Sequence, residues 1–167
     1  MPFELRPYPA PTLRPEGDYL QTAWRNSVYP LAHRLGVDIR LPEVSPQPYT
    51  RLAFEGLEFA KDRGRGGEYN DRVMRAYFQN SQDIGDPAVL SQLAEEAGLD
   101  AVEFRRALDT REYSTRVEDL LRHAYQEMRI EGVPMFVIGK RIFTGLQSAE
   151  TLRRAIDEAA PGSTNAR

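Results

Sequence analysis

The chain has 167 residues, of which 22 are basic, 25 are acidic and none is cysteine, for a net charge of -3. That length is enough for one domain with a real core, and the near balance of charge offers no basic surface for nucleic acid or an anionic membrane. Without cysteine there is no disulfide framework, no thiolate zinc site and no cysteine nucleophile. The two histidines, His33 and His123, have no partner at metal-ligand spacing. No stretch approaches the ~18 apolar residues of a membrane span. Met1 is followed at once by Pro2-Phe3-Glu4-Leu5-Arg6-Pro7, with no basic start or apolar run of a signal peptide, so a cytoplasmic protein is expected.

Residues 2–6 read as a short strand ending at Pro7, and the proline-rich residues 7–17 as a loop. Asp18 is placed to cap a helix, with Gln21 as its capping-box partner. Leu20, Ala23, Trp24, Leu31, Ala32 and Leu35 form one buried face of that helix. Trp24 could line a groove, but its position on the inward face favours a core role. Pro30 should kink or split the helix, and Gly36 should end it. Three prolines in residues 41–48 mark a connection.

Helices are expected over 49–62, with Leu52, Ala53, Leu57 and Ala60 inward, and over 68–79, with Tyr69, Val73, Met74, Tyr77 and Phe78. Between them, Arg63-Gly64-Arg65-Gly66-Gly67 reads as a solvated loop rather than an RNA-binding box. Asp86 caps the next helix, Pro87 suits its first turn, and Gly98 suits the left-handed position past its end. Its apolar face is Val89, Leu90, Leu93 and Ala97. Asp100 with Glu103 forms a second capping box for a helix through Leu108. Residues 113–129 give the clearest helical pattern, with Val117, Leu120, Leu121, Ala124, Tyr125 and Met128 on one face. His123 falls on its polar side. Glu95-Glu96 and Arg105-Arg106 are solvated faces, and no pair of carboxylates calls for acid-base work.

Met135-Phe136-Val137-Ile138 and Arg141-Ile142-Phe143-Thr144 then read as two arms of a hairpin turned at Gly139-Lys140. A last helix begins near Ser148, with Ala149, Leu152, Ile156 and Ala159 on one face. Residues 161–167 read as a disordered tail.

The stretch Gly132-Val133-Pro134-Met135-Phe136-Val137-Ile138, followed by a hairpin and a helix, resembles the cis-proline segment of DsbA-type thioredoxin-fold proteins. Pro2-Phe3-Glu4-Leu5-Arg6-Pro7 resembles the family strand that follows the active-site helix. Ala76-Tyr77-Phe78 with Asp83-Ile84 and Asp86, then Gly98-Leu99-Asp100, resembles its helical insert. Gly145 and Ser148-Ala149-Glu150 resemble the start of its last helix. The resemblance runs from residue 2 to about 158 and is nearest the FrnE-like branch. 2-Hydroxychromene-2-carboxylate isomerases and kappa-class glutathione transferases share the scaffold. The resemblance implies an α/β protein, an incomplete thioredoxin-like fold with a large all-helical insertion: residues 1–8 and 131–160 as the thioredoxin-like part, 17–130 as the insertion.

Family members open with a central strand and a helix whose first turn carries Cys-x-x-Cys, and neither is present here. Thiol-disulfide exchange needs a thiolate activated at a helix N-terminus, so the chain as written is expected to be catalytically silent, with no catalytic residue, metal or cofactor. What the resemblance leaves is a substrate-binding edge at Gly132, Val133 and Pro134, where the residue before the cis-proline offers its backbone N–H and C=O to an extended peptide. The other readings are a peptide- or protein-binding module without redox chemistry and a glutathione-dependent isomerase-like relative. Gln47-Pro48-Tyr49-Thr50 lacks the Asn-Ser pair of the isomerase branch. Absence of the central strand would expose two sheet edges. Three outcomes are then expected: an upstream segment that exists in nature, a homodimer through those edges, or direct pairing of 2–6 with 135–138.

Overall fold

A computed structural model of the protein describes residues 1–160, which leaves the tail expected over 161–167 outside the described residues. In chain order the elements are α1 (Asp18–Ala23), a π-helical turn (Trp24–Val28), α2 (Tyr29–Leu35), α3 (Arg51–Asp62), α4 (Gly66–Phe78), α5 (Pro87–Glu96), α6 (Ala101–Asp109) and α7 (Ser114–Arg122). A second π-helical turn (His123–Glu127), β1 (Met135–Ile138), β2 (Arg141–Thr144) and α8 (Ala149–Ala159) complete it. The chain divides into two compact units, Met1–Leu121 and Arg122–Arg167.

In the first unit the core lies among α3, α4, α5 and α6. Phe59, Tyr69, Leu90, Phe104 and Val117 are almost wholly buried. Phe104 meets Phe59 edge to face at 5.2 Å and Tyr69 at 5.4 Å. Such aromatic pairs add about 0.5–1.5 kcal/mol beyond the area they bury. Gly56 makes this packing possible: a Cβ there would stand 2.4 Å from the Tyr69 hydroxyl and 2.6 Å from the Phe104 ring.

Helix ends follow local side-chain chemistry. Asp86 accepts from the Ala88 N–H at 2.7 Å, and Asp100 accepts from the Val102 and Glu103 N–H groups at 2.9 and 2.8 Å. The expected reciprocal bond from Glu103 is replaced by an ion pair with Arg63 at 3.3 Å. Asp18 does not cap α1. Gly17 is the N-cap residue there, and Gln21 donates to the Pro15 carbonyl at 2.8 Å. Pro30 interrupts the first helical run as its chemistry requires: the turn before it widens to a π turn, and α2 resumes with Pro30 in its first turn. Gly36 ends α2 at φ 65°.

Trp24 is buried, 5.4 Å from Tyr29 and 6.3 Å from Phe78, a core residue rather than a groove wall. Met74, expected inward, is half exposed, because the buried stripe of α4 runs through Tyr69, Val73 and Ala76. The strand expected at 2–6 does not form. A strand exists only through a ladder partner, and the strands among the described residues, β1 and β2, pair with each other. Residues 2–6 are held by a side chain instead: Glu4 is buried and gripped by Arg51.

In the second unit β1 and β2 pair antiparallel with Met135 opposite Thr144 and Val137 opposite Ile142. Gly139 takes φ 60° at the turn, a region open to glycine at little cost. Ser148 caps α8, its hydroxyl accepting from the Thr151 N–H at 3.1 Å. The buried residue of α8 is Ala155 and not Ile156, which is 57% exposed. Ile156 is displaced from the expected face, whereas Leu152 is partly buried and Ala159 lies beside the hairpin turn, where a Cβ on Gly139 would stand 3.1 Å from its Cβ.

Candidate functional site

The segment 132–134 enters β1 directly, and its shape follows from its three residues. Gly132 has open space where a Cβ would stand. Val133 precedes proline, which biases it away from helical conformations toward extended ones. The Val133–Pro134 peptide bond is cis, as are Tyr8–Pro9 and Ser45–Pro46. The Pro134 carbonyl accepts from the Gly145 N–H at 2.8 Å, which ties the segment to the far end of the hairpin.

Val133 itself is 52% exposed. Among the described residues its backbone N–H and C=O make no hydrogen bond. The site therefore presents one free donor and one free acceptor on an anchored segment, with an exposed aliphatic side chain beside them. Val137 and Ile142, directly opposite each other on one face of the hairpin, are 48% and 62% exposed. The other face carries Phe136 and Phe143, which are partly buried.

Gly132, Val133 and Pro134 carry no ionisable or nucleophilic side chain. The chain has no cysteine, and among the described residues no group of three His, Asp or Glu side chains could hold a metal ion. His123 sits in the π turn with Nδ1 2.7 Å from Glu127, an exposed local pair. Tyr125, expected inward, is exposed, because the π turn rotates it off the face that buries Leu121 and Ala124. Tyr77 packs edge to face on Phe78 at 4.9 Å, and burial, aided by the Asp83 charge, pushes its phenol up to about 12.

Sequence reading missed the ion pairs of the first unit, two of them on buried glutamates of α3. Glu55 is 1% exposed and accepts three hydrogen bonds from Arg111, the shortest 2.6 Å. Glu58 is buried and paired with Lys61 at 2.6 Å. Asp62 receives Arg116 at 2.7 Å and the Tyr113 hydroxyl at 2.9 Å, and these bonds hold its carboxyl below the usual range. The one signal available was negative: glutamates at 55 and 58 fall inside an otherwise apolar helical face.

Residues 2–157 match the family model of the DSBA-like thioredoxin domain. The uncharacterized protein YwbO of Bacillus subtilis (strain 168) is 48% identical over 159 residues, which cover 95% of this chain and 80% of that protein. The crystal structure of the probable DsbA oxidoreductase SCO1869 from Streptomyces coelicolor superposes with a TM-score of 0.73 at 27% identity. It covers 90% of this chain, but the chain spans only 64% of that structure's length. The fold is thus DsbA-like: mixed α/β, helix-rich, with a small two-stranded sheet among the described residues. No helix among them is long and apolar enough to cross a membrane.

Proposed function

The chain belongs to the DSBA-like thioredoxin domain family, and we propose that it binds an extended peptide or protein segment at Gly132-Val133-Pro134 without carrying out thiol-disulfide exchange itself. The observation that carries this reading is the free backbone N–H and C=O of Val133 on a segment anchored through Pro134. An extended ligand would dock as an added strand, accepting from the Val133 N–H and donating to its C=O. The family relationship supports a thiol-disulfide-type scaffold. Exchange requires a thiolate that attacks one sulfur of a disulfide and expels the other, and the 167 residues contain no thiol. Chemistry of that kind would need cysteines from outside this sequence. The proposed division of the fold follows the family: residues 1–8 and 131–160 as the thioredoxin-like part, 17–130 as the helical insertion. The site of action we infer is the cytoplasm.

The test is calorimetric titration with a cysteine-free, unstructured peptide. Wild type should bind it saturably. Val133→Pro, which removes the donor N–H, should weaken binding about tenfold, the worth of one hydrogen bond, whereas Val133→Ala should keep most of it. Equal affinity for the Val133→Pro variant would refute the strand-addition mode. Insulin reduction by dithiothreitol should run at the uncatalysed rate with this chain present.

A further inference from the structure

Residues 1–8 belong to the unit Met1–Leu121 but form neither strand nor helix there. With Thr12 they make one side of a cleft of about 650 Å³. The other side comes from residues between 44 and 52, from Asp83 and Gly85, and from Arg111.

The stretch is fastened differently along its length. Residues 10–16 are tied to the opposite wall at three points. The Tyr49 hydroxyl donates to the Ala10 carbonyl at 3.0 Å, the Gln47 N–H to the Leu13 carbonyl at 2.8 Å, and the Ser45 hydroxyl to Glu16 at 2.8 Å. The Ala10 N–H closes a turn on the Pro7 carbonyl at 2.8 Å. Before that turn the chain exposes Leu5, Arg6 and Tyr8 and buries Pro2 and Glu4. Glu4 is the charged grip: Arg51 donates to its two oxygens through Nε at 3.1 Å and Nη2 at 2.9 Å.

This grip can be let go without leaving a charge behind. Arg51 also faces Glu118 of α7, whose carboxylate lies 3.8 Å from Nη1. One guanidinium thus stands between two carboxylates, a buried one on residues 1–8 and an exposed one on α7. Breaking a buried ion pair is costly because it strands a charge without its partner. Here Glu4 would enter water with its own segment, and Arg51 would keep Glu118. The pair of Arg111 and Glu55 is the contrast. Glu55 is fixed within α3 and its side chain is 1% exposed, so it has no such route to solvent.

We propose that residues 1–8 are a strap that opens and closes over the cleft, and that the hand-over of Arg51 from Glu4 to Glu118 is its latch. Closed, the strap walls the cleft and neutralises Arg51. Open, it swings about the Pro7–Ala10 turn and leaves a groove open along one side. Because the chain has no cysteine, one introduced thiol reports the opening. Pro2→Cys puts it at a buried position of the strap. Its alkylation by iodoacetamide, read by intact mass, follows the open population when opening and closing are faster than labelling. Two further variants are made in this background. Glu4→Gln, which removes the charge of the latch, should speed labelling at least about tenfold, as expected for loss of a charge-assisted hydrogen bond. Glu118→Gln, at an exposed position, removes the alternative partner and should slow labelling. If the ion pairs only stabilised the fold, Glu118→Gln would leave the rate unchanged or raise it. Urea unfolding of each variant checks that the rest of the unit is intact. A Pro2→Cys thiol that reacts as fast as in urea, an unchanged rate on adding Glu4→Gln, or an equal or higher rate on adding Glu118→Gln would each overturn the proposal.

Discussion

At the scale of single residues, the first unit is organised by carboxylates that reach arginines far along the chain. Asp62 shows the sign of such a contact. Its hydrogen bonds from Arg116 and Tyr113 favour the ionised form, so its folded pKa lies below the unfolded value. Its contribution to stability is therefore complete above the ordinary carboxylate range and is lost as pH falls through the depressed folded value. Arg116→Gln should move the Asp62 midpoint, read by carbon NMR, upward toward the ordinary value; an unchanged midpoint contradicts the assignment. Glu55 is the more deeply buried carboxylate, held by Arg111. Arg111→Ala would relieve nothing at φ 56° and would leave a carboxylate that is 1% exposed without its cation. Because half of the arginine side chain is already in solvent, the expected loss is about 2–3 kcal/mol, below the ~3–5 kcal/mol for breaking a fully buried pair, measurable by urea unfolding. Partners 47 and 56 residues apart leave no periodic trace in a sequence, and this is why neither arginine of the cleft was legible before the fold was known.

At the scale of elements, helices were legible and strands only in part. A helix announces itself within one turn: the apolar spacing of α4 and α5 and the caps at Asp86, Asp100 and Ser148 are all local chemistry. The hairpin is local too, since its arms and its Gly139-Lys140 turn are contiguous. Residues 2–6 carry strand-like composition but no ladder partner among the described residues, and composition alone cannot supply one. Which helices touch is equally invisible until small residues are placed. Gly56 is where α3 meets Tyr69 of α4 and Phe104 of α6. Gly56→Ala gains helix propensity, about 1 kcal/mol, but drives a Cβ into two buried rings. Overpacking of this kind costs about 1–3 kcal/mol, so net destabilisation is expected in urea unfolding. A stabilised Gly56→Ala variant would show that the α3–α4–α6 packing is looser than described.

At the scale of the whole molecule, family membership was readable from the order of weak motifs, Gly132-Val133-Pro134 before a hairpin and a final helix, none of which is decisive alone. The family match over residues 2–157 now carries that conclusion. Each strand of the sheet has one edge without a partner strand among the described residues, and we propose that self-association between copies would compete there with peptide binding. In this proposal sedimentation should show a dimer that dissociates as peptide saturates it, and a monomer at every concentration would remove self-association while leaving the docking edge intact. The central claim is tested most directly by the Val133 amide. In a proton–nitrogen correlation spectrum of the whole chain titrated with the cysteine-free peptide, that resonance should shift downfield to saturation and its hydrogen exchange should slow, with no covalent adduct in the mass spectrum. Saturable binding that leaves the Val133 amide unmoved and freely exchanging would contradict the account.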